Sequence, residues 1–425
     1  MRAALPDGTA TGYPDTGGGL GSTPGRRRTR HLAKGTAVES ALGWLLQPMP
    51  VADFLREVWA TRSHLIERAR PGYFDQLLAG PSAADDLLAA LRAAPSAVRL
   101  VRGPEHRASD GYLLADGDLD LARVRADYGA GFTVILDNIE RHLRPMTLLT
   151  HAIEVELNFP THVNAYLSPP NATGFLPHYD HHDVLVLQIH GAKTWHFYGD
   201  AAVPPHLMQQ RYEPDPAGLP APRTLRLRAG DTLYLPRGLV HSAQTGTEPS
   251  VHLTVGIHVP TVLTLLTHAL HLLSVRDDRI HTRLPARHLD DPRLRADLAA
   301  LVHDAVAALD GPDAIADGLE AMQDLLVRRG RCPPVGQRAD TVGVDGATLL
   351  VKNQPLYSRV TTGPGGVGLQ FAQLLVSAGH DHEAALRFLA GSTEAFRAAD
   401  LPGLTAAQQL ELVRSLIMSG FLKRA

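Results

Sequence analysis

Five side chains that can bind a metal ion lie within six consecutive positions of this sequence. They are His178, Asp180, His181, His182 and Asp183. Imidazole nitrogens and carboxylate oxygens are ligands that iron and other divalent transition metals accept. An apolar run, a glycine and a single lysine follow them along the chain. The cluster therefore predicts a mononuclear metal site around which the rest of the chain is built.

His178 and Asp180 are two residues apart, and on a β-strand this spacing puts both side chains on one face. A third ligand must come from another strand. The best candidate is His241, which follows a predicted strand at 231–235 and a Pro-Arg-Gly turn. Two histidines and one carboxylate form the ligand set of non-haem Fe(II) oxygenases, which leaves positions for a chelating co-substrate and O₂.

Other interpretations of the cluster stay open. With 22 histidines in the chain, any one of them is more simply explained as a hydrogen-bonded strand residue. His182 shares the face of His178 and Asp180 by alternation and remains a competing ligand. His181 and Asp183 point to the opposite face, which favours a structural role for both.

Lys193 is the second residue with predicted chemistry. Strand alternation puts it on one face with Trp195 and Phe197. A lysine inside a barrel needs an anionic partner, because an unpaired buried charge is costly. A dicarboxylate co-substrate would supply that partner, although a lysine facing solvent is nearly as well supported by the sequence.

The elements that must position these residues are mostly strands. From Thr161 to about Pro260 short strands alternate with glycine and proline turns, and no long helix separates them. This pattern predicts an antiparallel barrel or sandwich. We assign residues 37–260 to a catalytic domain with an N-terminal extension of helices and short strands. The predicted fold class is a mainly β core with α additions.

Three further regions flank this domain. Residues 1–36, rich in Gly, Pro, Thr and Arg, are predicted to be a disordered tail. Residues 261–332 are predicted to be helical, and their first helix is apolar nearly all round, which favours burial against another element or another subunit.

The C-terminal region, residues 339–425, is predicted to hold short strands and three helices, of which GLQFAQLLVSAG is the first. This arrangement is typical of a winged-helix domain. From Gly366 onward five acidic side chains balance five basic ones, so direct nucleic-acid binding is not favoured.

Composition excludes several classes of protein. The net charge of −3 argues against bulk nucleic-acid or membrane-surface binding. The single cysteine, Cys332, excludes a disulfide framework and a cysteine-based zinc cluster. No apolar run approaches the roughly 20 residues needed to span a bilayer, and the N-terminus lacks the apolar core of a secretory signal. We therefore predict a cytoplasmic protein without membrane contact.

The string NAYLSPPNATGFLPHYDHHDVLVLQIHGAKTW, followed by GDTLYLPRGLVH, resembles the JmjC-type cupin oxygenases of the bacterial ribosomal oxygenase family. The segment LGWLLQPMPVADFLREVWATRSHLIERARPGYFDQLL is similar to the start of the same proteins. The likeness runs from about Ala41 to the C-terminus. It implies a double-stranded β-helix barrel, a helical dimerisation region, a winged-helix-like domain and a homodimer.

The resemblance also implies a reaction, the hydroxylation of a protein side chain that depends on Fe(II), 2-oxoglutarate and O₂, with ribosomal proteins as the characterised substrates. Carried over by position, it makes His178, Asp180 and His241 the catalytic iron ligands. Lys193 would bind the distal carboxylate of 2-oxoglutarate.

Three more residues are implied in the co-substrate pocket. Asn164 and Tyr166, which share a strand face, would line it. Some relatives use a hydroxyl group on the last barrel strand, and Thr254 is the nearest one here. Gly256 is the alternative occupant of that position.

Three rival functions remain. The same scaffold serves hydroxylases of small molecules or natural-product peptides, because a fold does not fix a substrate. A demethylase would use the same iron chemistry and release formaldehyde. A non-catalytic cupin binding module is the third alternative, against which the complete set of ligands and lysine argues.

Overall fold

The computed structural model of the chain describes residues 40–68, 70–79, 82–199, 218–309, 312–330, 336–353 and 356–425. The predicted N-terminal tail and Cys332 lie outside these residues.

The helices and strands are numbered in chain order. The α-helices are α1 (Ala41–Leu46), α2 (Val51–Glu57), α3 (Ser82–Ala90), α4 (Leu121–Gly129), α5 (Arg144–Leu157), α6 (Val262–Arg276), α7 (Arg295–Ala308), α8 (Pro312–Arg329), α9 (Glu383–Gly391) and α10 (Ala406–Met418). The strands before residue 200 are β1 (His64–Ile66), β2 (Val98–Arg102), β3 (Glu105–His106), β4 (Thr133–Leu136), β5 (Thr161–Ser168), β6 (Asp183–His190) and β7 (Ala192–Phe197). The later strands are β8 (Arg223–Arg228), β9 (Thr232–Leu235), β10 (His241–Thr245), β11 (Ser250–Ile257), β12 (Leu349–Lys352), β13 (Ser358–Gly363), β14 (Gly366–Phe371), β15 (Leu374–Ala378), β16 (Phe396–Arg397) and β17 (Leu422–Arg424).

Two antiparallel sheets build the central domain. The larger has eight strands in the order β1-β9-β6-β11-β5-β4-β2-β3, and the smaller has the order β10-β7-β8. Apolar side chains from both sheets pack together between them, for example Val186 and Leu233 of the larger sheet with Phe197 and Leu227 of the smaller one. The domain is thus the sheet-rich cupin type of fold, with helices added on the outside.

Alternation along the central strands separates the core from the site. On β5, Val163, Ala165 and Leu167 join the main hydrophobic core, which also contains side chains of α1 and α5. Leu253 and Val255 of β11 do the same. Because the side-chain period of a strand is two, the residues between them face the interior of the barrel, where the functional groups lie.

The helical region after the barrel leaves several apolar side chains of its first helix exposed. α6 contacts α8, and Gly318 allows this approach, because a Cβ there would lie 2.8 Å from the Leu265 carbonyl oxygen. The sequence predicted that α6 is buried against another element or another subunit; within the described chain α8 contacts it, and Ala269 is the one residue of this helix that is buried. Val262 is 72% and Leu266 44% exposed, so the described residues leave part of the apolar surface of α6 uncovered.

The C-terminal region has its own core around α9, α10 and two three-stranded sheets. The helix predicted for GLQFAQLLVSAG is wrong, because this segment forms the β14–β15 hairpin. Gly366 and Gly368 weaken a helix, and Ala372 takes a positive φ of 48° at the turn. Two α-helices rather than three therefore lie between residues 356 and 425.

Among the described residues, no helix combines the length and the apolar character needed to cross a lipid bilayer.

Candidate metal centre

A backbone contact brings the first and third predicted ligands together. His178 and His241 form an isolated antiparallel bridge, in which each N–H donates to the other residue's carbonyl oxygen at 3.0 and 2.8 Å. Their ring centroids are 4.6 Å apart. His178 lies before β6 and His241 begins β10, so the bridge joins two distant parts of the chain at one point.

Asp180 completes the cluster. Its backbone oxygen accepts a hydrogen bond of 2.9 Å from the N–H of Gly238, in the turn before His241. Its Oδ2 lies 3.7 Å from Nε2 of His241. Within the part of the chain that the structure describes, His178, Asp180 and His241 are the one group of three or more such residues whose ligand atoms all lie within 4.8 Å of one another.

The outer hydrogen bonds of the two histidines fit a metal site. Nδ1 of His178 lies 2.7 Å from the Leu176 carbonyl oxygen, and Nδ1 of His241 lies 2.9 Å from that of Leu239. A carbonyl oxygen can only accept, so both Nδ1 atoms carry the proton and both Nε2 atoms offer a lone pair. Metal-binding histidines are oriented in this way. Two imidazoles and one carboxylate suit a first-row divalent ion such as Fe(II).

The local structure differs from the strand that the sequence predicted for this segment. β6 begins only at Asp183, so His178 and Asp180 are brought together by bridge and turn contacts rather than by strand alternation. His182 does not join them; its ring lies 4.9 Å from those of His162 and His258. It lies outside the described ligand cluster.

The two residues predicted to be structural also lie outside the cluster. Asp183 is buried and accepts hydrogen bonds from the N–H of Arg237 at 2.8 Å and the hydroxyl of Tyr234 at 3.2 Å. The ring of His181 packs edge-on against Tyr179.

Lys193 faces the interior of the barrel. It is 3% exposed, and its Nζ donates to Oγ of Ser168 at 2.8 Å. Among the described residues no carboxylate forms an ion pair with it. Burial alone lowers the pKa of Lys193 from 10.5 to about 7. This ammonium group therefore lacks the anion that would stabilise its charged form.

One cavity contains the metal cluster and the lysine. His178, Asp180, His241 and Lys193 all line it, and so does Phe175. Both sheets contribute residues to its wall. On the smaller sheet His241 pairs with Phe197 and Lys193 pairs with Thr245, so a molecule that contacts both the triad and Lys193 would lie along the β10–β7 pair.

The sequence did not single out His252, which also lines this cavity. Its ring stacks on Tyr166 with centroids 4.7 Å apart and planes 6° apart. Burial and the nearby Lys193 hold the pKa of His252 well below its usual range, so the ring is neutral. Alternation on β11 puts His252 on one face with Thr254, which is the signal that would have found it.

Two buried nitrogen atoms in the cavity wall form no hydrogen bond to the described residues. Nδ1 of His252 and Nε1 of Trp195 have no hydrogen-bond partner among the described residues. Buried polar groups are seldom left in this state. A bound ligand with oxygen acceptors would satisfy Trp195, and either an acceptor or a donor would satisfy the histidine.

Of the four remaining residues considered for the co-substrate pocket, two line the cavity and two do not. Tyr166 and Thr254 line the cavity. Asn164 does not line it; its Oδ1 instead accepts the N–H of Asn138 at 2.9 Å. Gly256 does not line it either, and a Cβ at that position would lie 2.1 Å from the ring of His162.

One protein-family model matches the central domain. The family model described as "JmjC domain" matches residues 141–265, which include all three residues of the cluster and Lys193. Residues 141–265 are therefore similar to a JmjC domain. The match covers the barrel from β5 to β11, where both sheets meet.

Curated relatives extend the likeness at low identity. The bifunctional lysine-specific demethylase and histidyl-hydroxylase NO66 of Drosophila mojavensis is 28% identical over 236 residues, which are 51% of this chain and 24% of that protein. The protein of the same name from Aedes aegypti is 28% identical over 222 residues, 51% of this chain and 34% of that protein. The chain thus spans about a quarter to a third of the length of these relatives.

Solved structures of YcfD from Escherichia coli are similar to this chain in fold. One covers 88% of this chain and 98% of its own, with a TM-score of 0.55 and 18% identity. A second, of the ribosomal oxygenase YcfD in complex with cobalt and 2-oxoglutarate, has a TM-score of 0.54 at the same identity and coverage. The similarity extends beyond the JmjC domain into the helical and C-terminal regions.

Proposed function

We propose that this protein is an Fe(II)- and 2-oxoglutarate-dependent oxygenase that hydroxylates a side chain of a protein. One observation carries the proposal: a single cavity holds a two-histidine, one-carboxylate cluster and a buried lysine that pairs with no carboxylate of the described residues. The ligand cluster can bind a metal ion, and the lysine can pair with one carboxylate of a dicarboxylate.

Each residue has a distinct part in this proposal. His178, Asp180 and His241 hold the iron, and the carbonyl oxygens of Leu176 and Leu239 keep both imidazoles in the tautomer that binds metal. Lys193 binds the distal carboxylate of 2-oxoglutarate by a charge-assisted hydrogen bond. Trp195, His252 and Thr254 supply further polar contacts along the same cavity.

The overall reaction balances as follows. 2-Oxoglutarate loses CO₂ and becomes succinate with one oxygen atom of O₂, and the other oxygen atom enters a C–H bond of the substrate as hydroxyl. Bound iron supplies the oxidising chemistry. The protein orients the co-substrate through Lys193, and the buried walls of both sheets keep water away from it.

The substrate class rests on the neighbours. YcfD is described as a ribosomal oxygenase, and NO66 as a histidyl-hydroxylase and lysine-specific demethylase. A ribosomal protein is therefore the first substrate to test. Demethylation of lysine is the second candidate, because NO66 is also described as a lysine-specific demethylase.

Product analysis tests both candidates. The protein is incubated with Fe(II), 2-oxoglutarate and ribosomal proteins from its own cell, and peptides are compared by mass spectrometry with a reaction containing the His178→Ala variant. A gain of one oxygen atom on a peptide in the wild-type reaction alone is the expected result. Release of formaldehyde with loss of a methyl group would favour the demethylase. If folded, metal-loaded protein produces neither of these changes, the result contradicts an oxygenase of ribosomal proteins.

The assembly belongs to the same proposal. The uncovered apolar surface of α6 supports a homodimer formed through residues 261–332. The two helices and small sheets of residues 339–425 support a winged-helix-like domain used for protein contacts rather than for nucleic acid. A cytoplasmic location agrees with the single cysteine.

A further inference from the structure

A second pocket lies between the barrel and the helical region. His181, Arg237 and His258 form its barrel side, and Thr264 of α6 and Leu326 of α8 lie on its helical side. Asp180 lines the first cavity and the next residue, His181, lines this one. The two pockets are therefore neighbours that share a chain segment but none of their lining residues.

Arg237 gives this second pocket a fixed positive charge. Within the described residues its guanidinium group has no ion pair and no hydrogen bond. The nearby Asp183 accepts the backbone N–H of Arg237, and its carboxylate attracts the guanidinium group at longer range without forming a direct ion pair. An arginine stays charged at every physiological pH. A partly buried guanidinium in this state attracts an anion from solution.

Three histidines line the same pocket as the arginine. Nδ1 of His181 is buried and has no hydrogen-bond partner among the described residues. His268 of α6 also lines the pocket. His258 is already used, because its Nε2 lies 2.9 Å from Nδ1 of His162. His181 and His268 are thus available to bind an oxygen atom beside the guanidinium group.

Apart from Asn158 and Thr264, the rest of the wall is apolar. Met322, Leu325 and Leu326 of α8 face Val259 and Pro260 at the end of the barrel. Leu326 is buried, whereas Leu325 is 44% exposed at the opening. A pocket with one cationic end and an apolar body fits a ligand of the same two-part character.

We propose that this pocket binds a small monocarboxylate with an apolar body. The guanidinium of Arg237 binds the carboxylate in a bidentate manner, His181 adds a hydrogen bond, and the body packs on α8. One unpaired arginine matches one negative charge, whereas a phosphate dianion would call for a second cation. The proposal is independent of the proposed function, because none of these groups belongs to the iron cluster or to Lys193.

The test uses 4-phenylbutyrate as the probe, titrated into the full-length protein by calorimetry. Arg237→Gln is expected to weaken binding about tenfold or more, because a charge-assisted pair is lost. Arg226→Gln, which removes an exposed arginine of β8, is the matched control and keeps the affinity. 4-Phenylbutylamine, with the opposite charge, is expected not to bind.

A second variant distinguishes the loss of ligand contacts from the loss of folding. Leu325→Asp adds a negative charge at the open edge of the pocket, where the exposed position tolerates it, and should also weaken binding of the probe without lowering the melting temperature. Binding that survives Arg237→Gln but disappears in Lys193→Met places the probe in the first cavity and overturns the proposal. Equal binding of the amine, or no binding of the probe to folded wild-type protein, overturns it as well.

Discussion

At the scale of single residues, Lys193 decides what the cavity binds. Desolvation is the one cause that shifts its pKa, and Ser168 is its hydrogen-bond partner. A neutral hydroxyl group cannot replace the hydration that an ammonium group loses on burial. The ligand-free protein therefore carries an electrostatic cost that an incoming carboxylate removes.

Replacing Lys193 by Met should weaken 2-oxoglutarate binding by about 10- to 100-fold, since a hydrogen bond to a charged group contributes about 1.5–3 kcal/mol. The melting temperature of the ligand-free protein should not fall, because an unpaired buried charge is removed. Calorimetry and thermal melts measure the two effects.

The matched control is Lys352→Met in the C-terminal domain. Lys352 is also partly buried, burial lowers its pKa to about 8, and its Nζ donates to the Ala390 carbonyl oxygen. It lies outside the cavity, so the affinity for 2-oxoglutarate should not change. Equal losses in both variants would contradict the role of Lys193.

The pKa of Lys193 also predicts a pH dependence. Its folded pKa of about 7 lies below the ordinary 10.5, so between these values the unfolded chain holds a proton that the folded chain lacks. The ligand-free protein should thus gain stability as pH rises from 7 towards 10.5. 2-Oxoglutarate binds the protonated form and should bind up to about tenfold more weakly per pH unit above 7.

Calorimetry in two buffers of different ionisation enthalpy measures this proton uptake. At pH 8 the wild-type protein should take up most of one proton on binding, and Lys193→Met should take up none. Binding that is independent of pH from 6 to 9 would show that Lys193 stays charged or does not meet the ligand.

Side-chain chemistry made much of the site predictable from the sequence. The residue types of His178, Asp180 and His241 indicated one metal cluster, and the charge of Lys193 indicated an anion. Strand alternation failed for Asp180, because a bridge and a turn hold this segment rather than a strand. His252 was missed because a lone histidine among many carries no signal until its strand and face are known.

At the scale of elements, Arg329 at the end of α8 fastens the helical region to the barrel. It forms an ion pair of 2.8 Å with Glu154 of α5 and also donates to the Thr161 carbonyl oxygen at the start of β5. Glu154 is buried and also accepts the N–H of Thr161 at 2.9 Å. β5 carries Tyr166 into the cavity, so this contact supports one wall of the site.

Replacing Arg329 by Met should lower the free energy of unfolding by about 3 kcal/mol, because it leaves a buried carboxylate without its cation. The value is at the low end for a buried pair, since the Arg329 side chain is 33% exposed. Denaturant unfolding followed by circular dichroism measures the change. The neighbouring Arg328, whose pair with Asp324 is more exposed, is the control, and Arg328→Met should cost less than about 1 kcal/mol. Equal costs for the two variants would contradict the buried link.

Elements were predictable where one period dominated the sequence. The strands of the barrel and the amphipathic helix α10 followed their patterns. The β14–β15 hairpin did not, because its apolar residues fit a helix as well as a strand and its core contacts decide between them. Leu369 and Phe371 become buried against α9 and α10, which the local sequence does not reveal.

At the scale of the whole molecule, α6 leaves an apolar surface that a second copy of the chain would cover. Replacing both Leu266 and Leu270 by Glu should convert a dimer into monomers, because charges would be buried in an apolar contact. Light scattering after size-exclusion chromatography measures the mass. Leu375→Glu, on an exposed residue of β15, is the control and should stay dimeric. A monomeric wild-type protein would contradict the proposed assembly.

The order of regions along the chain was predictable because composition changes sharply between them. Strand-rich sequence ends near Pro260 and helical sequence follows, as the structure also has it. Which surface of α6 stays uncovered was not predictable, because its leucines lie on nearly every side and their exposure depends on how α8 packs.

The formation of succinate from 2-oxoglutarate tests the central claim most directly. With Fe(II), O₂ and a protein substrate, the wild-type protein should form succinate, and so should His182→Asn, whose side chain lies outside the ligand cluster. His178→Ala and Asp180→Ala should form none while keeping the wild-type melting temperature. Turnover retained in both of these variants would contradict the assignment of the metal centre and, with it, the oxygenase.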